Sequence, residues 1–184
     1  KKLGDLHPNI CYVLWTSLYR YSEAYDLLKL AADLGVKATH LRTDFIEDKA
    51  APTEAVNFIY NAMDVHLLLS HGEGAGLPHV EATACAVPAF ATDYAGSTNY
   101  FAHDDQRLPA CNLRVASPNL IMRPENDVDE IVRRLEWVYN NPEEATKWAV
   151  HCSDVVQDWT WERTIPEWEV IIHQAAAEKE LRCK

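Results

Sequence analysis

The chain reads as an α/β domain, a parallel sheet with helices on both faces, and two observations predict this. Short apolar runs of strand character alternate with amphipathic stretches of helical length, the order that parallel sheets require. One of these runs, Val65-His66-Leu67-Leu68-Leu69, leads directly into the glycine-rich segment Ser70-His71-Gly72-Glu73-Gly74-Ala75-Gly76 and then a new helix. In open α/β sheets ligands bind beyond the carboxyl ends of the strands, and this turn lies at such an end.

Ile10–Trp15 is apolar and predicts a strand, followed by a helix near Ser22–Leu34 that stops at Gly35. Lys37–Arg42 predicts a shorter second strand. Pro52 introduces a helix over Thr53–Met63, with Thr53 as its cap. Val65–Leu69 is the third strand and Leu77–Cys85 the helix after the turn, with Pro78 suited to a first helical turn. Ala89–Thr92 predicts the fourth strand, and a short helix follows around Ser97–Ala102. Leu113–Ala116 and Leu120–Met122 carry weak strand patterns. Val128, Ile131, Leu135 and Val138 mark one face of a helix over Asp127–Tyr139, capped near Asn126. Pro142–Val156 and Trp161–Ala177 read as closing helices. With no internal repeat or linker, residues 1–184 read as one domain.

Composition excludes several classes of function. Seventeen Lys and Arg against 28 Asp and Glu give a formal charge of −11, with no local basic cluster, which disfavours nucleic acid as a partner. Cys11, Cys85, Cys111, Cys152 and Cys183 are scattered, odd in number and without CxxC spacing, a pattern of reduced thiols and a cytoplasmic location. No run approaches the roughly 20 apolar residues of a membrane span. His40, His66 and His79 lack metal-ligand spacing.

The turn itself carries the functional signal. A strand that passes through glycines into a helix N-terminus presents N–H groups without helical partners at the positive end of the macrodipole, which suits an anion. Glu73 precedes that helix and Glu81 lies inside it, with seven residues between them.

Asn61-Ala62-Met63-Asp64-Val65, Gly72-Glu73-Gly74-Ala75-Gly76-Leu77-Pro78, Glu81-Ala82 and Val87-Pro88 together resemble the C-terminal half of retaining glycosyltransferases of the GT-B fold. The group most similar is glycosyltransferase family four, which includes glycogen-synthase-like and sucrose-synthase-like enzymes. Thr92–Ser97 resembles that family's next strand and glycine loop, and the likeness extends over about residues 10–170. The resemblance implies a Rossmann-like domain that binds a nucleotide diphosphate sugar. It implies that Glu81 accepts hydrogen bonds from ribose hydroxyls, for which a carboxylate is a good bidentate acceptor. It makes Glu73 the catalytic residue, beside the donor sugar, where its charge stabilises an oxocarbenium-like transition state. Backbone N–H groups of Gly74, Ala75, Gly76 and Leu77 would meet the sugar and diphosphate, and His71 is a further candidate donor contact. No metal or cofactor is implied. Retention on one face of the sugar needs no enzymic nucleophile, and no hydrolytic carboxylate pair is evident.

Departures from the family pattern sharpen the reading. The family has an aromatic residue at position 75, and Asn99 replaces a Glu common after the glycine loop. An Arg and a Lys that hold the diphosphate follow the family's first strand, whereas Glu23 would fall near the Lys position if Ile10–Trp15 were that strand. The spacing from Leu34-Gly35-Val36 to Asp64 fits Ile10–Thr16 as the second strand and Lys1–Gly4 as the tail of a helix. That alignment places the Arg/Lys pair and an acceptor-binding N-terminal domain upstream, and makes this chain an inactive fragment prone to self-association. Arg42 and Asp44 could face the nucleotide base. The tryptophans at 137, 148, 159, 161 and 168 fit helix-packing stripes.

Three alternatives stand beside transfer. One is a catalytically inactive nucleotide-sugar-binding module, and another is a GT-B-like sugar-nucleotide epimerase. The third is a dinucleotide oxidoreductase, which requires GxGxxG after its first strand. Thr16-Ser17-Leu18-Tyr19 contains no glycine and argues against it.

Overall fold

A computed structural model describes residues 2–14, 27–40, 51–116 and 121–182. Trp15, residues 22–26, Arg42, Asp44 and Cys183 therefore lie outside the described residues. In chain order the elements are α1 (Lys2–Leu6), β1 (Tyr12–Leu14), α2 (Leu27–Asp33), β2 (Ala38–His40) and α3 (Thr53–Asn61). Then come β3 (His66–Leu68), α4 (Leu77–Ala84), β4 (Ala89–Thr92), β5 (Arg107–Leu108), β6 (Ala110–Ala116) and β7 (Ile121–Asn126). Three helices close the chain: α5 (Val128–Asn140), α6 (Pro142–Gln157) and α7 (Trp161–Arg182).

The strand-helix alternation produces parallel pairing. β1 pairs with β2, and β3, β4 and β5 form a three-stranded parallel sheet with β4 in the centre. Among the described residues no ladder joins the two groups. β4 is buried along its whole length, as a strand covered on both faces must be. Its alternating side chains divide the core. Phe90 joins Leu108, Ile131, Leu135 and Val138 under α5, and its ring stacks on Trp148 of α6 at 5.5 Å. Ala89 faces the other way, with Tyr60 of α3, Ala82 of α4 and Val87. Helices thus cover both faces of this sheet.

Several local expectations need correction. Asp127, not Asn126, caps α5, because its carboxylate accepts from the N–H groups of Asp129 and Glu130. Pro52 occupies the position before α3, so Thr53 is the first helical residue and provides no cap. The two weak strand patterns form an antiparallel hairpin, β6–β7, and among the described residues neither joins the parallel sheet. Only residues 117–120 separate the strands, too few for the crossover that parallel pairing needs. A bulge between Cys111 and Arg114 contains Asn112 at φ 45°, a conformation that asparagine tolerates. The segment 97–102 carries a single 3₁₀ turn, Gly96–Asn99, and a second at Asp104–Gln106 precedes β5, which sequence periodicity does not reveal.

Trp137 and Trp148 are packing residues, set edge to face at 5.7 Å. Trp159, Trp161 and Trp168 do not follow that expectation and lie exposed at the end of α6 and along α7.

Candidate functional site

The glycine turn runs from the carboxyl end of β3 to the N-terminus of α4 and is stapled to the loop that follows β4. The backbone of Glu73 forms a parallel bridge with Ala95, and the Gly96 N–H donates to the Glu73 carbonyl at 2.9 Å. Ser97, buried under the loop, donates its hydroxyl to the carbonyls of Thr92 (2.8 Å) and Tyr94 (2.9 Å). Two glycines make this contact possible. Gly76, directly before α4, sits at φ 78°. A Cβ at Gly96 would overlap the carbonyl of Gly74, so no other residue permits the two loops to meet. Arg107 anchors the far side, donating to Asp93 (2.9 Å) and Asp104 (3.0 Å) with its guanidinium 4.5 Å above the Phe101 ring.

Glu73 is half-buried and its carboxylate accepts no hydrogen bond from the described residues. The N–H groups of Gly74, Ala75, Gly76 and Leu77 likewise find no acceptor among the described residues, and Pro78 has no N–H to satisfy. A carboxylate and a row of open donors therefore lie side by side in the sequence at the start of α4. Glu81 stands one turn further along the same helix, exposed. It is held there: the Tyr60 hydroxyl, from α3, donates to Glu81 Oε2 at 2.9 Å. Tyr60 is 2% exposed, and burial followed by its bond to the Glu81 carboxylate pushes its phenol well above the usual range. His71 is exposed, and its carbonyl accepts from Arg123 Nη1 at 3.4 Å.

His79 follows Pro78 but turns away from the turn into the core, 2% exposed, edge-on to the Phe101 ring at 5.1 Å. Among the described residues neither of its ring nitrogens has a hydrogen-bond partner, and the same holds for His66 Nε2. Burial lowers both imidazoles to about 4, and for His79 the neighbouring His66 adds to the effect. Both are thus neutral at physiological pH. No group of three potential metal ligands occurs among the described residues. Cys11, Cys85, Cys111 and Cys152 are free thiols, and no helix among the described residues is long and apolar enough to cross a membrane.

Sequence reasoning did not single out Tyr60 or Arg123. Tyr60 had a faint signal, since it follows Val56 at helical spacing on the face of α3 that packs on α4. Arg123 had none, because it lies in a strand of weak pattern and its contact with the glycine turn depends on how the hairpin docks.

The fold has counterparts among known proteins. No curated protein matches the sequence. Among solved structures, sucrose-phosphate synthase from Thermosynechococcus elongatus is similar with a TM-score of 0.66 and 18% identity, a likeness of fold. The aligned region covers 91% of this chain and 38% of that one, so the chain spans well under half the length of this neighbour. A family model described as Glycosyl transferases group 1 matches residues 22–150. That stretch contains the glycine turn, both glutamates and the loop stapled to them, and it places the fold in the GT-B class: the chain belongs to the group 1 glycosyl transferases.

Proposed function

We propose that the chain is the donor-binding half of a retaining glycosyltransferase and takes a nucleotide diphosphate sugar without a metal. The observation that carries this is the set of N–H groups from Gly74 to Leu77, and the neighbouring Glu73 carboxylate, that find no partner among the described residues. Such donors, fixed before the ligand arrives, stabilise a leaving diphosphate without reorganising. The Glu73 carboxylate lies beside them and would stabilise positive charge that develops on the sugar as the glycosidic bond breaks. Glu81, one turn away and positioned by Tyr60, accepts from the ribose diol. His71 lies at the rim of the turn and contacts the donor from there. The leaving phosphate deprotonates the acceptor on the face from which it departs, so the protein supplies no nucleophile. The acceptor binds through a further domain, and the free thiols support a reducing compartment such as the cytoplasm.

Isothermal titration of the chain with UDP, GDP and ADP, with and without EDTA, tests this reading. Weak binding of one nucleoside diphosphate, unchanged by EDTA and without sugar transfer, is the expected result. Failure to bind any of the three, or binding only with a divalent ion, would overturn it.

A further inference from the structure

Among the described residues the hairpin β6–β7 does not pair with the parallel sheet, yet its second strand is pinned across the sheet's carboxyl end. Asn126 donates to the Leu69 carbonyl at 3.2 Å and accepts from the Thr92 hydroxyl at 2.7 Å, bridging the ends of β3 and β4. The Tyr94 hydroxyl donates to the Met122 carbonyl at 2.9 Å. Between these two anchors stands Arg123, half-buried, with Nη1 only 3.2 Å from where a Cβ at Gly72 would be. One guanidinium nitrogen thus lies against the residue that precedes Glu73.

Its pairing state is the unusual feature. Arg107, Arg114, Arg133, Arg134 and Arg163 each pair with a carboxylate. Arg123 pairs with none among the described residues, although the formal charge of the chain is −11 and Glu73 lies two residues from the carbonyl it contacts. Its one bond among the described residues, 3.4 Å to the His71 carbonyl, engages one of five N–H donors. A planar fork of unused, charged donors at the mouth of a turn matches a phosphate in geometry and sign.

We propose that Arg123 forms a phosphate-binding subsite beside the glycine turn, taking a phosphoryl group of a substrate. This rests on the donor-site reading given above. The phosphoryl group belongs either to the donor's diphosphate or to a phosphorylated sugar acceptor, and the chemistry recognised is the same.

Arg123→Gln keeps a donor for the His71 carbonyl and removes the charge, so it is the informative variant, with Arg123→Lys as its partner. Calorimetry on the whole chain would use pyrophosphate, UDP, GDP, ADP, the matching nucleosides, glucose 6-phosphate and glucose. Arg123→Gln should weaken the phosphate-bearing ligands about tenfold or more and leave nucleosides and glucose unchanged, and Arg123→Lys should restore part of the loss. A loss confined to nucleoside diphosphates assigns the group to the donor, and one confined to glucose 6-phosphate assigns it to the acceptor. Equal affinities in native chain and Arg123→Gln, or no binding of any phosphate-bearing probe by the native chain, would overturn the proposal. If nucleoside diphosphates and glucose 6-phosphate both bind equally to native chain and variant, the donor reading survives and Arg123 does not.

Discussion

The Tyr60 hydroxyl donates to Glu81 Oε2 at 2.9 Å, so a buried phenol on α3 fixes the carboxylate that α4 presents at the site. The tyrosine ring is packed with Val56 and Val87, and it holds its hydroxyl where Glu81 can use it. A long acidic side chain on an open helix face would otherwise sample several rotamers, and holding one saves entropy on binding. Tyr60→Phe should therefore weaken nucleoside diphosphate binding about three- to tenfold, and Glu81→Ala about ten- to a hundredfold. The double variant should bind no worse than Glu81→Ala alone, because Tyr60 acts only through the carboxylate. Additive losses in calorimetry would show that Tyr60 contributes by some other route.

Glu73 should behave differently from Glu81. Its carboxylate has no partner among the described residues and lies at the sugar end of the proposed site. Glu73→Ala should leave affinity for the bare nucleotide nearly unchanged. In the whole protein it should depress turnover far more than donor affinity, since its charge matters most when the sugar becomes cationic. Parallel titration of both variants with one nucleotide checks the division of roles, and identical losses would refute it.

The fold and the site differ in how far their residues announce them. β4 and α4 are plain in the sequence because burial on both faces demands an unbroken apolar run, and because Pro78 after Gly76 marks a helix start. The positions of Glu73 and Glu81 around the turn are equally plain. What Glu81 touches is not, because its partner lies 21 residues away on another helix and depends on how α3 packs on α4. β5 and the second 3₁₀ turn escape notice for a related reason. Gln106 is buried there, satisfied by the Ala102 N–H and the Thr83 hydroxyl, and a polar residue in the core breaks the apolar pattern that periodicity detects. The hairpin's antiparallel sense follows from its short connection, but its docking on β3 and β4 depends on Asn126, whose side chain carries no sequence signal for that role.

Two alanines occupy backbone that favours glycine. Ala86 lies at φ 55° just past α4, where its N–H donates to Thr83 and that of Val87 to Ala82, a paired closure of the helix end. Ala95 lies at φ 59° opposite Glu73. Ala86→Gly should stabilise the fold by about 0.5–1 kcal/mol with ligand binding unchanged. Ala95→Gly should relieve similar strain and also free the stapled loop, so a gain in stability should come with weaker nucleotide binding. Gly96→Ala should have the opposite effect on stability, because its methyl group has no space beside Gly74. Thermal denaturation of the three variants, followed by titration, tests the set.

The buried imidazoles make stability depend on acidity. His66 and His79 have folded-state values near 4, below the ordinary value of 6.5, because burial disfavours the charged ring. Above pH 6.5 the rings are neutral in both states and contribute no pH dependence. As pH falls from 6.5 toward 4 the unfolded chain takes up protons that the folded chain refuses, so stability declines with pH and levels off below 4. The loss is at most about 3 kcal/mol per imidazole, and mutual repulsion between the rings makes the second protonation harder still. Urea unfolding of the native chain should show a midpoint that drops steeply between pH 6.5 and 4. His79→Leu replaces the buried ring with an apolar side chain that needs no hydrogen-bond partner, and it should flatten that decline. A variant that loses as much stability on acidification as the native chain would show that His79 is not its source, leaving His66 or carboxylates such as Glu130, whose bonds to Arg133 and Arg134 favour its charged form.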